Sequence, residues 1–138
     1  MSARAPLVDF AIGLGCRKGV SGEVIASLVR EALAHIEQPG VVALFTVDAK
    51  RTEAGLAQAA QALAMPLHFL TQEALVAVAD QAQTRSLRVE SLFGVPSVAE
   101  TAALAGAGPG AVLILPRITR DDATCAIARA AQPQETAP

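Results

Sequence analysis

The chain contains no tryptophan and no tyrosine, and its only aromatic side chains besides two histidines are Phe10, Phe45, Phe69 and Phe93. A base-stacking platform needs exposed rings. These four phenylalanines sit in apolar runs suited to a core, so nucleic acid is not expected as a partner. Cys16 and Cys125 are the only cysteines, too few and too distant for a disulfide framework or a thiolate metal motif. His35 and His68 complete no ligand spacing, so neither a metal nor a cofactor is expected. Positive charge is not in excess: the formal net charge of −2 and pI near 5.6 remove any global attraction to polyanions or anionic membranes. No stretch approaches the ~20 apolar residues of a membrane span. Met1-Ser2-Ala3-Arg4 leads into a strand-like segment without the apolar core of a signal peptide, so a cytoplasmic location away from membranes is expected.

What remains is the composition of a small folded domain. Hydrophobic residues make up 52% and charged residues only 17%, which argues against intrinsic disorder. A length of 138 residues predicts a single domain over 1–138, with an ordered core over about 7–130 and a loose tail over 132–138.

Leu7 to Leu14 reads as a first strand. Ser21 is a good N-cap, with Val20 and Ile25 as a hydrophobic staple, and Ile25, Leu28, Val29, Ala32 and Ile36 recur on one helical face until Pro39-Gly40. Val41 to Val47 is an almost unbroken apolar run of the kind buried on both faces of a sheet. A turn over Asp48 to Glu53 precedes a helix carrying Leu56, Ala60 and Leu63 inward, then a short strand from Pro66 to Leu70. Thr71 caps another helix, with Leu70 and Leu75 as its staple pair. Leu87 to Phe93 reads as one or two helical turns. Ser97 to Glu100 has the form of a capping box opening an Ala-rich helix that ends at Gly106 and Gly108. Ala111 to Leu115 and Ala123 to Arg129 are strands flanking a turn at Thr119 to Asp122, a terminal antiparallel hairpin. The alternation predicts an α/β fold: a three-layer α/β/α arrangement on a mainly parallel sheet of about five strands. Ligands of such sheets bind beyond the carboxyl ends of the strands, which points to the loops after the first two.

The first of these loops runs Gly13-Leu14-Gly15-Cys16-Arg17-Lys18-Gly19. Its glycines would let backbone approach a ligand, and the following helix offers a positive dipole end, a combination suited to carboxylate or phosphate. A dinucleotide fingerprint would need a third glycine where Lys18 stands, and no Walker spacing exists. The plainer alternative is a glycine turn with solvated basic residues. In the second loop, Thr46 to Glu53, Asp48 suits a helix N-cap and Glu53 a first-turn acid. Lys50 is harder to place there, because a cation at a helix N-terminus opposes the dipole. The chain has nine arginines but only two lysines, Lys18 and Lys50, one in each loop. With Arg17 and Arg51 they would form a cationic site on one edge of an acidic protein, whereas Arg88 is expected to be distal.

Other residues have simpler roles available. Cys16, in a basic loop near a helix N-terminus, is a candidate low-pKa nucleophile, but a small buried thiol explains it as well. Ser97 and Glu100 read as a cap and its partner, His68 as a satisfied core histidine, and Cys125 as packing.

Four segments together resemble the CobE/CbiG C-terminal domain family of cobalamin (vitamin B12) biosynthesis. They are Gly13-x-Gly15-Cys16-Arg17-Lys18-Gly19; Asp48-x-Lys50-x-x-Glu53-x-Gly55-Leu56; the run from Gly94 to Leu104; and Thr124-Cys125-Ala126-Ile127-Ala128-Arg129. Their order and spacing cover nearly the whole chain. The resemblance implies a domain handling corrin-ring precursors. In fused relatives it follows the segments that open the ring-A lactone of cobalt-precorrin-5A, which are not expected here. Stand-alone members belong to the aerobic branch, where cobalt enters late.

Corrin precursors carry many acetate and propionate groups, and charge-assisted bonds to carboxylate are strong. The expected function is therefore an accessory protein binding a precorrin-type tetrapyrrole through Gly13, Gly15, Cys16, Arg17, Lys18, Gly19, Asp48, Lys50, Glu53, Ser97 and Glu100. The macrocycle face would rest on Leu, Val or Phe93 near Gly94. One alternative is a hydrolase-type enzyme acting on a precorrin, with Asp48 or Glu53 as general base and Lys50 stabilising an oxyanion. Another is an adaptor docking onto a different enzyme of the pathway.

Overall fold

The computed structural model describes residues 7–131, so the expected tail over 132–138 lies outside the described residues. Five strands form one sheet in the order β3-β2-β1-β5-β4: β1 (Phe10–Cys16), β2 (Val42–Val47), β3 (Leu67–Leu70), β4 (Val112–Arg120) and β5 (Ala123–Arg129). β1 pairs parallel with β2, and β2 with β3, while β5 runs antiparallel to both β1 and β4. The helices are α1 (Gly22–Leu33), α2 (Ala54–Leu63), α3 (Gln72–Val76), α4 (Leu87–Phe93) and α5 (Val98–Ala107). Among the described residues no helix is long and apolar enough to cross a membrane.

Strand pleat divides β1 between two layers. Ile12, Leu14 and Cys16 face α1 and α2, together with Leu44, Cys125 and Ile127. In α1, Ile25, Leu28, Val29 and Ala32 complete that core, each side chain the size of Leu contributing about 1.5–3 kcal/mol by burial. Ser21 caps the helix as expected, its hydroxyl accepting from Val24 N–H at 3.2 Å. The opposite face of the sheet is paved with small residues, Ala11, Ala43 and Ala128, and there α5 packs. Every residue of α5 from Val98 to Leu104 is buried, the mark of an internal helix.

Two boundaries differ from the sequence expectation for instructive reasons. β1 continues through Gly13 and Gly15 to Cys16 instead of ending in a glycine loop. A Cβ on Gly13 would collide with the backbone of α5 at Ala99 and Ala103, so this glycine serves helix–sheet approach, not a turn. β4 extends past Pro116 to Arg120 because it is the edge strand and is bulged there, where a missing N–H costs nothing.

Candidate functional site

β1 has its parallel partner on one side and the antiparallel β5 on the other, so chain order switches direction at this strand. Beyond its carboxyl end, where such sheets take ligands, lies a recess of about 440 Å³. That volume falls in the range of about 300–1,000 Å³ occupied by small-molecule sites. β1 and its loop supply Gly15, Cys16, Arg17 and Lys18, the turn after β2 supplies Lys50, and α5 begins at the wall with Ser97 and Val98. α4 contributes Arg88 and the apolar Val89, Leu92 and Phe93. The β4–β5 hairpin closes the far side with Arg117, Thr119 and the turn acids Asp121 and Asp122.

Both lysines of the chain therefore line one recess, with Arg17, Arg88 and Arg117, against two aspartates. Arg17 Nε lies 3.7 Å from Asp122. Among the described residues Lys18, Lys50, Arg88 and Arg117 have no carboxylate within ion-pair distance. A protein of net charge −2 thus concentrates unpaired positive charge in one concavity, where low-dielectric walls strengthen its field. Two helix starts face this space, that of α4, capped by Ser86, and that of α5, whose Ser97 hydroxyl accepts from Glu100 N–H at 3.1 Å; no residue of α1 lines it.

The other residues singled out from the sequence stand elsewhere. Gly13 is covered by α5. Gly19 donates its N–H to Glu53 Oε1 at 3.0 Å, which ties the two loops together behind the recess. Asp48 does not cap α2: it begins a short 3-10 turn, Asp48–Lys50, and pairs with Arg51. Arg51 in turn lies 4.6 Å above the Phe69 ring, away from the recess, so it is not part of the cationic edge. Lys50 closes that 3-10 turn instead of opening a helix, so the dipole conflict expected for it does not arise. Its Nζ stands 5.5 Å from the Phe93 ring centroid. Glu53 occupies the N-cap position of α2 without capping it, and neither Asp48 nor Glu53 lines the recess.

Arg88, expected to be distal, is in the lining, and Arg117 carries no signal in sequence at all. Glu100 is fully buried and its side chain bonds three backbone N–H groups outside its own helix, so the reciprocal half of the capping box is not formed. Cys16 is not a low-pKa thiol. Burial raises it above its ordinary value, Lys50 opposes this more weakly, and Glu53 adds a lesser upward effect. Burial also pushes Cys125 up to about 12, consistent with packing. His68 stacks on Phe45 with ring centroids 5.2 Å apart, but its buried Nε2 lacks a partner, so it is not the satisfied core histidine expected.

Fold and recess together define a three-layer α/β domain with a cationic cleft at its switch point. Residues 10–128 match the family model described as cobalamin synthesis G C-terminus, and the chain belongs to that family. It is accordingly a protein of the cobalamin biosynthesis pathway. It is similar to Protein CobE of Sinorhizobium sp, 38% identical over 119 residues that span 85% of this chain and 77% of that one. The crystal structure of CobE, a protein from the cobalamin (vitamin B12) biosynthetic pathway, superposes with a TM-score of 0.82 at 35% identity, covering 91% of this chain and 95% of the other. Cobalamin biosynthesis protein chiG from Agrobacterium tumefaciens gives 0.67 at 40% identity, with 89% and 99% covered. A cobalamin biosynthesis protein G homolog from Sulfolobus solfataricus, 21% identical, shares the fold over 91% of this chain but only 38% of its own length, with a TM-score of 0.59.

Proposed function

We propose that this protein is an accessory factor of cobalamin biosynthesis that binds a carboxylate-rich precorrin or corrin intermediate in the recess. Arg17, Lys18, Lys50, Arg88 and Arg117 meet the acetate and propionate groups, and the macrocycle lies against Val89, Leu92 and Phe93. The carrying observation is the meeting of both lysines with three arginines beside an apolar wall. Charge-assisted bonds supply the strong contacts, and the apolar surface supplies area-dependent burial.

Titration with hydrogenobyrinate, followed in the visible absorption of the ring, tests the reading. Saturable one-site binding is expected, weakening with salt as ion-pairing interactions do. A corrinoid whose side-chain carboxylates are amidated should bind at least about tenfold more weakly, the equivalent of losing about 1.4 kcal/mol. Equal affinity for the two, or no spectral change, would overturn it.

A further inference from the structure

Glu100 sits within α5 with no solvent exposure, and its carboxylate accepts three N–H bonds from two distant parts of the chain. Oε1 receives Gln83 at 2.7 Å and Thr84 at 2.9 Å, while Oε2 receives Arg117 at 2.8 Å. One buried side chain therefore joins α5, the segment entering α4, and β4.

The Arg117 end of this clamp coincides with a bulge. Ile118 faces Cys125, and the next registered pair is Leu115 with Ile127, three steps along β4 against two along β5. The extra residue falls within Pro116–Arg117. Pro116 has no N–H, and the N–H of Arg117 is turned to Glu100. Bulges re-aim side chains, and Arg117 lines the recess. On the Oε1 side, Thr84 leads directly to Ser86, whose N–H donates to Pro96 at 2.9 Å and whose hydroxyl caps α4 at Val89. Arg88 is in the first turn of that helix.

Sheet order separates Arg117 from Lys50. Lys50 follows β2, Arg117 lies on β4, and β1 with β5 stands between. Three strand spacings of ~4.8 Å put the two backbones about 14 Å apart.

Resting on the corrinoid reading above, we propose that Glu100 is a positioning residue: it sets Arg117, and through the start of α4 Arg88, at the wall of the recess.

A double-mutant cycle with hydrogenobyrinate as probe tests the proposal. In Glu100→Gln the amide keeps one oxygen for Gln83 and Thr84, but its NH2 then confronts the N–H of Arg117. Glu100→Gln and Arg117→Ala should each weaken binding about tenfold. The double variant should bind no more weakly than Arg117→Ala alone, because both act through one group. Multiplied effects would overturn the proposal, as would a Glu100→Gln protein that melts earlier yet binds normally.

Should Glu100→Gln fail to fold, amide hydrogen exchange of the wild-type protein decides. Gln83, Thr84 and Arg117 should exchange as one unit and be slowed together by hydrogenobyrinate; independent behaviour would overturn the clamp. Failure of the wild-type protein to bind removes the corrinoid reading and this inference with it. Wild-type binding with additive variants removes the inference alone.

Discussion

The ammonium of Lys50 stands 5.5 Å from the centroid of the Phe93 ring, so the turn after β2 and the apolar wall of α4 form one continuous surface. A cation over a ring at this range contributes about 0.5–1 kcal/mol when solvent reaches it. The contact presents the charge at the mouth of the recess without neutralising it. Lys50→Met, which keeps a long apolar stem over the ring, should leave stability within about 1 kcal/mol. It should weaken hydrogenobyrinate about tenfold. Parallel urea melts and absorption titrations check both halves, and unchanged affinity would remove Lys50 from the site.

The arginines of the chain divide into those that line the recess and those already engaged elsewhere. Arg51 pairs with Asp48 and stacks on Phe69, whereas Arg88 has no acidic partner among the described residues. Arg51→Ala should therefore leave corrinoid affinity within about twofold, and Arg88→Ala should lower it about tenfold. The opposite ranking in titrations of the two variants would favour the edge read from sequence over the recess seen in the structure.

Two glycines of the same motif should respond very differently to alanine. At Gly13 the added methyl meets the backbone of α5, which cannot yield as a side chain does, so Gly13→Ala should cost about 3 kcal/mol or more. At Gly19 nothing lies within reach, but φ is +82°, so Gly19→Ala should cost only about 1 kcal/mol of backbone strain. Urea unfolding of both proteins makes the comparison.

Alkaline pH should destabilise the fold through its thiols. Cys125 is pushed from 9.0 up to about 12 by burial, with Glu31 adding to it, and Cys16 is raised by burial, with Glu53 adding and Lys50 opposing. An unfolded chain releases these protons near pH 9 while the fold retains them, so above pH 9 the unfolded state binds fewer protons and stability falls. The contribution is intact below pH 9. It declines by up to about 1.4 kcal/mol per pH unit per thiol until the folded group itself ionises, near 12 for Cys125. No tyrosine is present to add a phenol titration in this window. Urea midpoints at pH 8, 9.5 and 11 should fall progressively, and Cys125→Ala should flatten the slope.

Much of the fold was legible because it rests on local bonds and on periodicity. Ser21, Thr71 and Ser97 cap their helices through i to i+3 bonds that a short stretch of chain specifies by itself. β2 and β5 were legible as apolar runs. Gly13 and Gly15 misled because glycine signals both turns and close packing, and nothing local separates the two. Pro116 misled because its tolerance depends on β4 being an edge strand, a property of the whole sheet.

The amino-acid order alone determined that the sheet is mainly parallel and that Lys18 and Lys50 lie in the loops after the first two strands, since parallel β–α units bring such loops to one rim. Tertiary structure decided which other charges join them. Arg88 and Arg117 reach the recess from α4 and from the bulged edge strand β4, and Arg51 is held away from it by Asp48 and the Phe69 ring. Those are convergences through space, and neither propensity nor spacing along the chain encodes them in readable form.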